Sequence, residues 1–272
     1  MRTALRYFVA IGALLVSVVP VYWLITISLK HEIDQFAYPP RWIGFAPTLE
    51  HYREAFGGSF GIYFMNSVIL AAVSTLAALA IGVPAAYGLA RFEWPGRWRD
   101  HLSDWILSTR MLPPIVTIVP LFLMLREVRL LNSLIGLAIV YTAFNLPFVV
   151  WMMRGFFEEV PREIEEAAML DGESRLGALL RIVVPLVKPG LAATAVFCLI
   201  VAWNEFLFAL ILTQTEAAMT LPVGIASRVT QYEIKWGVMS AAGVAAMLPV
   251  LAFAAAAQKY LVRGLSLGAV KG

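Results

Sequence analysis

Six stretches of this chain constrain its fold more than anything else: residues 7–29, 62–90, 105–125, 130–153, 191–213 and 236–258 are apolar and nearly free of charge. A run of about 18 or more such residues reads as a helix long enough to cross a bilayer, where each backbone group must find its partner inside the helix. Only two of the runs contain a charge, Arg110 in 105–125 and Glu205 in 191–213. None alternates polar and apolar residues at period two, which excludes a barrel of strands. Charged residues make up 14% of the chain, against about 25% in soluble domains. The reading is an all-α polytopic membrane protein with six transmembrane helices, forming one domain over residues 1–272.

The first run follows "MRTALR", which has the look of a basic leader. Residues 7–29 exceed the usual length of a leader's apolar core, and no A-x-A-like cleavage site follows, so an uncleaved first helix is expected. The lone cysteine, Cys198, lies within the fifth run and has no second cysteine to bridge to. Of the 21 lysines and arginines, thirteen fall in segments that are cytoplasmic if the N-terminus is, seven fall in the opposite segments, and Arg110 lies inside a run. That bias places both termini in the cytoplasm. The charge is spread over loops, leaving no basic face for nucleic acid.

No constellation for chemistry emerges. His31, His51 and His101 read as loop residues without metal-ligand spacing. There is no G-x-x-x-x-G-K-[ST] phosphate loop and no G-x-S-x-G nucleophile turn. The chain reads as neither an enzyme nor the holder of a cofactor.

Polar and helix-breaking residues inside the runs are more informative. Ser67, Ala71, Ser74, Ala78 and Gly82 recur at three and four residues along the second run, a small-residue face suited to close helix packing. The third run, with Ser103 as its expected N-cap, contains Pro113, Pro114 and Pro120, each lacking a backbone donor. It should be kinked or unwound, either as part of a solute path or as a structural bend. Arg110 is expected to snorkel toward the interface. In the fifth run Glu205 shares a helical face with Thr194, Cys198, Ala202 and Ala209, beside Asn204. A carboxylate there needs a partner or a wet cavity, so Glu205 is either the lining of a path or an interhelical clamp.

Residues 30–61, with "AYPPRWIGFAPTLEHYREAF", read as an external interfacial segment carrying one short helix. Between the fourth and fifth runs, residues 154–188 form a charged cytoplasmic segment. Within it, 161–170 reads as a short helix begun by Pro161, favoured by Glu163, Glu165 and Glu166 near its N-terminus and ended by Gly172. A second, at 174–183, presents Leu176, Leu179, Leu180 and Val183 before Pro185. Two short rigid helices around a glycine make a lever.

This segment, "EAAMLDGESRLGALLRIVVP", resembles the EAA loop of bacterial ABC-importer permeases: E-A-A, three residues, Gly, nine residues, Ile, one residue, Leu-Pro. Glu166, Ala167, Ala168, Gly172, Ile182 and Pro185 fill the pattern, with Val184 where Leu is usual. "STRMLPP", "AWNEFLFALILT" with "TLPVGI", and "KYLVRGLSLGAVKG" are similar to the carbohydrate branch of that family, nearest to the smaller maltose permease. The resemblance implies a type I importer permease fold and half of a translocation path for a sugar or sugar derivative. It also implies a second homologous permease, two ATPase subunits that hold the ATP and Mg, and a periplasmic or lipid-anchored solute-binding protein. The location would be the bacterial inner membrane, among its lipids. Glu165, Glu166, Ala167, Ala168, Asp171, Gly172, Ile182 and Pro185 would dock the ATPase. Gly268, Ala269, Val270, Lys271 and Gly272, in the tail 262–272, would reach between the ATPases, and the external loop 215–224 would probe the binding protein. Asn204, Glu205, Pro113 and Pro114 are the candidates for the path. The alternatives are a proton-coupled secondary transporter titrating at Glu205, and an ABC permease for a non-carbohydrate solute.

Overall fold

The computed structural model describes residues 2–228 and 234–268, with the side chains of 2–5, 257 and 259–268 aside. Every named element is helical: α1 Arg2–Leu29, α2 Glu32–Gln35, α3 Glu50–Gly57, α4 Phe60–Arg91, α5 Trp98–Thr109, α6 Pro114–Glu127, α7 Leu134–Glu158, α8 Arg162–Leu170 and α9 Arg175–Ala178. A π-helical turn, Leu179–Val183, then leads to α10 Val184–Leu186, α11 Lys188–Trp203, α12 Leu207–Leu212, α13 Leu221–Ala226 and α14 Trp236–Gly268.

Among the described residues, four helices are long and apolar enough to cross a membrane: Arg6–Leu29, Phe60–Arg91, Leu134–Glu158 and Trp236–Ala256. Two sharply bent pairs, Trp98–Thr109 with Pro114–Glu127 at 86° and Arg175–Leu186 with Lys188–Trp203 at 81°, would bring the number to six if each were one span. The third apolar run is therefore an elbow. Proline pushes the residue before it out of the α region, and Pro113 itself adopts an extended ψ of 129° ahead of Pro114, the first residue of α6. The fifth run is divided between α11 and α12, and the half beginning at Lys188 pairs with the segment before it. There the π turn precedes Pro185, whose ring cannot share an α turn with the carbonyl of residue 181.

The chain divides into two compact units. The first comprises residues 1–64 and 221–249. Its helix α3 lies where the short external helix was expected, and aromatic rings Tyr52, Phe56, Phe60 and Phe64 follow one another at centroid distances of 6.3, 4.6 and 6.1 Å. His51 lies on α3 rather than in a loop, and a Cβ at Gly237 would come within 2.4 Å of its ring. Lys30, paired to Pro47 by an isolated bridge, buries its side chain completely, with Nζ 4.2 Å from the Trp23 ring centroid and 5.1 Å from that of Phe45.

The second unit comprises residues 65–220 and 250–272. The small-residue face of α4 is buried, and Gly82 is needed there, since a Cβ would stand 2.6 Å from Val149 of α7. Gly190 of α11 likewise leaves room for the Phe156 ring. Around these approaches Ala86, Tyr87, Val150, Met153, Phe157, Leu179, Val183 and Cys198 close one core. The helix containing Ser103 starts earlier than expected, at Trp98, because Pro95 and Gly96 end the preceding turn; Ser103 is mid-helix and its hydroxyl meets Arg154. His101 lies on the same helix. At one end of this unit Asn132 accepts from the backbone N–H groups of Gln214 and Thr215, and Asn66 donates to the carbonyls of Ala217 and Met219. These two asparagines fasten the loop 213–220.

Candidate coupling element and transmembrane cavity

Helix α8 is amphipathic in a short span, and its register decides which acid points where. Glu165 and Ala168, three residues apart, are buried, while Glu166, Ala167, Leu170, Asp171 and Gly172 are exposed. Leu170 is 89% exposed, an apolar residue at the tip of the element that sequence reasoning passed over. Gly172 holds φ at +97°, in a region that disfavours any Cβ, which is why the helix stops there. Of the second short helix, Leu176 and Leu180 are exposed while Leu179 and Val183 belong to the core. Ile182 is half-buried and Pro185 exposed. The expected ATPase-docking residues thus divide into an outward ridge and an inward pair.

Of the inward pair, Glu165 fastens the ridge to the membrane helix. The Glu165 carboxylate takes a hydrogen bond from Arg91 Nε at 2.5 Å and one from the Tyr87 hydroxyl at 2.7 Å. Arg91 also donates to the Val160 carbonyl at 2.8 Å, and Arg162 returns a bond from α8 to the Ala90 carbonyl at 3.2 Å. The ion pair is almost wholly buried, 6% and 5% exposed at the two side chains. Buried charges persist when paired and hydrogen-bonded, and they fix geometry because losing one partner is costly. A cleft of about 560 Å³ lies beside this joint, lined by Arg91, Glu93, Arg162, Glu166, Met169 and Arg175 among others. Movement of α8 must therefore carry the end of α4 with it.

The elbow produces a different site. Tyr141, Phe144 and Asn145 recur at three and four residues along α7 and face the α5–α6 bend and the α11–α12 break. Together with Arg110, Leu112, Pro114, Val201, Ala202, Glu205 and Phe208 they line a cavity of about 240 Å³. Arg110 does not snorkel: its Nη1 donates to the Phe144 carbonyl at 2.7 Å, and the guanidinium stands 5.6 Å from the Phe148 ring centroid. Glu205 finds its donors within the chain. Its carboxylate accepts from the Tyr141 hydroxyl at 2.6 Å and from the backbone N–H groups of Phe208 and Ala209 at 2.8 and 3.1 Å, so it caps the helix that resumes after the break. Thr194, Cys198 and Ala202 are buried along α11; Ala209 is buried too, but the break places it on α12 rather than on the one continuous face expected.

Of the four path candidates, the structure brings Glu205 and Pro114 to one cavity. Pro113 is exposed at the bend, and Asn204 is exposed with its amide turned back to the Ile200 carbonyl at 2.8 Å. Asn145 and Tyr141 were missed by sequence reasoning. The available signal was a cluster of polar side chains, Tyr141, Thr142 and Asn145, in the middle of an uncharged run just ahead of Pro147. Of the tail, Gly268 ends α14, while Ala269, Val270, Lys271 and Gly272 lie outside the described residues. Among the described residues, no group of three or more His, Cys, Asp or Glu side chains is arranged to hold a metal.

Comparison with known proteins places this geometry. Residues 78–267 match the family of the binding-protein-dependent transport system inner membrane component. The sulfoquinovosyl glycerol transport system permease protein SmoH of Agrobacterium fabrum is 38% identical, over 97% of this chain and 93% of its own. The trehalose/maltose transport system permease protein MalG of Thermococcus litoralis is 36% identical, over 98% of this chain and 97% of its own. Among solved structures, a chain of a bacterial ABC transporter involved in the import of the acidic polysaccharide alginate superposes with a TM-score of 0.76 at 24% identity, covering 94% of this chain and 96% of that one. That likeness is one of fold.

Proposed function

The chain belongs to the binding-protein-dependent transport system inner membrane component family and is a permease subunit of an ABC importer; we propose that it forms half of a sugar-translocating path and is driven through the exposed ridge on α8. ATP hydrolysis is the work of separate subunits, and this multi-pass inner-membrane chain is not itself an enzyme. Membership in this family sets aside the proton-coupled carrier reading of Glu205.

The observation that carries the proposal is the division of α8 into an outward ridge and a buried joint. Glu166, Ala167, Leu170, Asp171 and Gly172 offer a partner a small acidic surface with one apolar tip. Glu165 and Arg91 pass the motion of that surface to α4. Two ATPase subunits closing on ATP would draw the ridges of this chain and a second homologous permease together, and the path between the permeases would change the side to which it opens. A solute-binding protein would deliver the sugar from the side of the membrane opposite the termini, where the loop 215–224 would probe it, and both termini would lie in the cytoplasm. The sugar class follows the solutes for which the relatives are named.

Gly172→Asp tests the docking. The substitution adds a charged side chain at a positive φ on the open side of the turn, where no atom stands within 4 Å of a Cβ. The variant is expected to remain in the membrane and to lose its ATPase on purification together with ATP-dependent uptake. Wild-type uptake by the variant would remove α8 as the driving surface.

A further inference from the structure

Asn145 is 1% exposed, and its Oδ1 receives no hydrogen bond although it belongs to a residue lining the elbow cavity. Proteins leave very few buried acceptors unpaired, because each forfeits its hydration without replacement. Within a bilayer no lipid tail supplies the missing donor. Around the same cavity stand a carboxylate at Glu205 and a phenol at Tyr141, with a guanidinium at Arg110 and the apolar walls of Leu112, Phe144 and Phe208. Glu205 and Tyr141 are bonded to each other and Arg110 to a backbone carbonyl, so none of these groups satisfies Asn145.

We propose that this cavity is a subsite for one hydroxylated ring of the transported solute, and that the Asn145 amide turns so that Oδ1, which as it stands has almost no exposed surface, takes a hydrogen bond from a ring hydroxyl. A sugar ring has an apolar C–H face and a rim of hydroxyl donors, and the cavity has both kinds of wall in the same small space. The Glu205 carboxylate has lone pairs beyond the three bonds it accepts, and Arg110 has N–H groups beyond the one it gives to Phe144. A volume of about 240 Å³ falls below the roughly 300–1,000 Å³ typical of pockets for drug-sized ligands. The subsite therefore takes a single ring, and a longer sugar extends beyond it. This inference rests on the sugar-importer reading and adds that this subunit itself touches the solute.

The test uses the complete importer, with its ATPases, partner permease and binding protein, in proteoliposomes. Radiolabelled trehalose, maltose and sulfoquinovosyl glycerol serve as probes, and the one taken up fastest by the wild type is carried forward. Asn145→Leu keeps the approximate size and removes the acceptor. It is expected to leave thermal stability unchanged or raised, because an orphan polar atom is removed, and to raise the KM for uptake about tenfold, the value of one lost solute hydrogen bond. Asn145→Ser, which keeps an acceptor oxygen, is expected to recover part of that loss. An unchanged KM in a stable Asn145→Leu importer would overturn the subsite and leave the importer reading standing, as would a loss of stability and uptake that Asn145→Ser repeats in full. Absence of ATP-dependent uptake of all three probes by the wild type would overturn the sugar reading, and the subsite with it.

Discussion

Two clusters in the second unit are built from the same three residue types. Arg91, Glu165 and Tyr87 meet where α8 joins α4; Arg110, Glu205 and Tyr141 meet at the elbow. In both, the tyrosine donates to the glutamate, at 2.7 and 2.6 Å. In the first the arginine also binds the glutamate, and the pair is buried at the edge of a cleft of about 560 Å³. In the second the arginine binds a backbone carbonyl instead, the glutamate caps a broken helix, and a cavity lies among them. Both clusters border open space, and they part as strut and chamber because the charges pair in the first and are held separately by backbone groups in the second. In the proposed importer the first would transmit force and the second would meet a solute.

The comparison is most easily broken at its arginines. Arg91→Met leaves the Glu165 carboxylate buried without its cation and should cost about 3–5 kcal/mol, read as a fall in the unfolding temperature of the purified importer. Arg110→Met removes a bond to a carbonyl and should cost less, about 1.5–3 kcal/mol. Equal losses would erase the distinction between strut and chamber.

The glutamates sharpen it. In Glu205→Gln the amide oxygen can replace Oε1 and still accept from the Phe208 N–H, while its NH₂, in place of Oε2, faces the Tyr141 hydroxyl, which can turn to accept, and leaves the Ala209 N–H without its acceptor. A loss of about 1–2 kcal/mol is expected, with assembly and much of the uptake retained. Glu165→Gln should do more damage, since it leaves Arg91 as a buried charge with no counter-ion. Complete loss of uptake in an assembled Glu205→Gln importer would return a titrating role to that residue.

A smaller effect is expected at Gly172, where Ala adds only the strain of its φ of +97°, about 1 kcal/mol. The change should be confined to the turn, seen as faster amide exchange there without a change along α4.

Lys30 supplies a third kind of buried cation, one with aromatic faces in place of a carboxylate. Burial pulls its ammonium below the ordinary lysine value of 10.5, with the Asp34 charge opposing the shift. The unfolded chain then holds the extra proton across the interval up to 10.5, so the penalty is present in full below that interval and is relieved as pH rises through it. Stability should climb slightly on that approach, and Lys30→Met should abolish the climb.

Much of this architecture was legible in the chain. The apolar runs gave four spans outright, the prolines at 113 and 114 gave the elbow in the third run, and the glycine at 172 gave the end of the lever. The break after Asn204 was not legible, because "AWNEFLFALILT" contains no proline or glycine and the helix resumes under a side-chain cap that only the fold supplies. Nor could the sequence pair Arg91 with Glu165, 74 residues apart. Within "EIEEAA" only the contact with α4 decides which acid turns inward. Arg110 was misjudged because an isolated helix offers it no alternative to the interface, whereas the adjacent helix α7 offers the carbonyl of Phe144.

The account stands on the strut between α8 and α4 as the route by which ATP hydrolysis reaches the membrane helices. Arg91→Met with Glu165→Leu removes both charges together, which should restore most of the stability lost by either change alone while leaving α8 unfastened. The decisive measurement is sugar taken up per ATP hydrolysed by that double variant in proteoliposomes. The ratio is predicted to fall far below that of the wild type, in an importer that still assembles and still hydrolyses ATP. A wild-type ratio in the stable double variant would contradict the account.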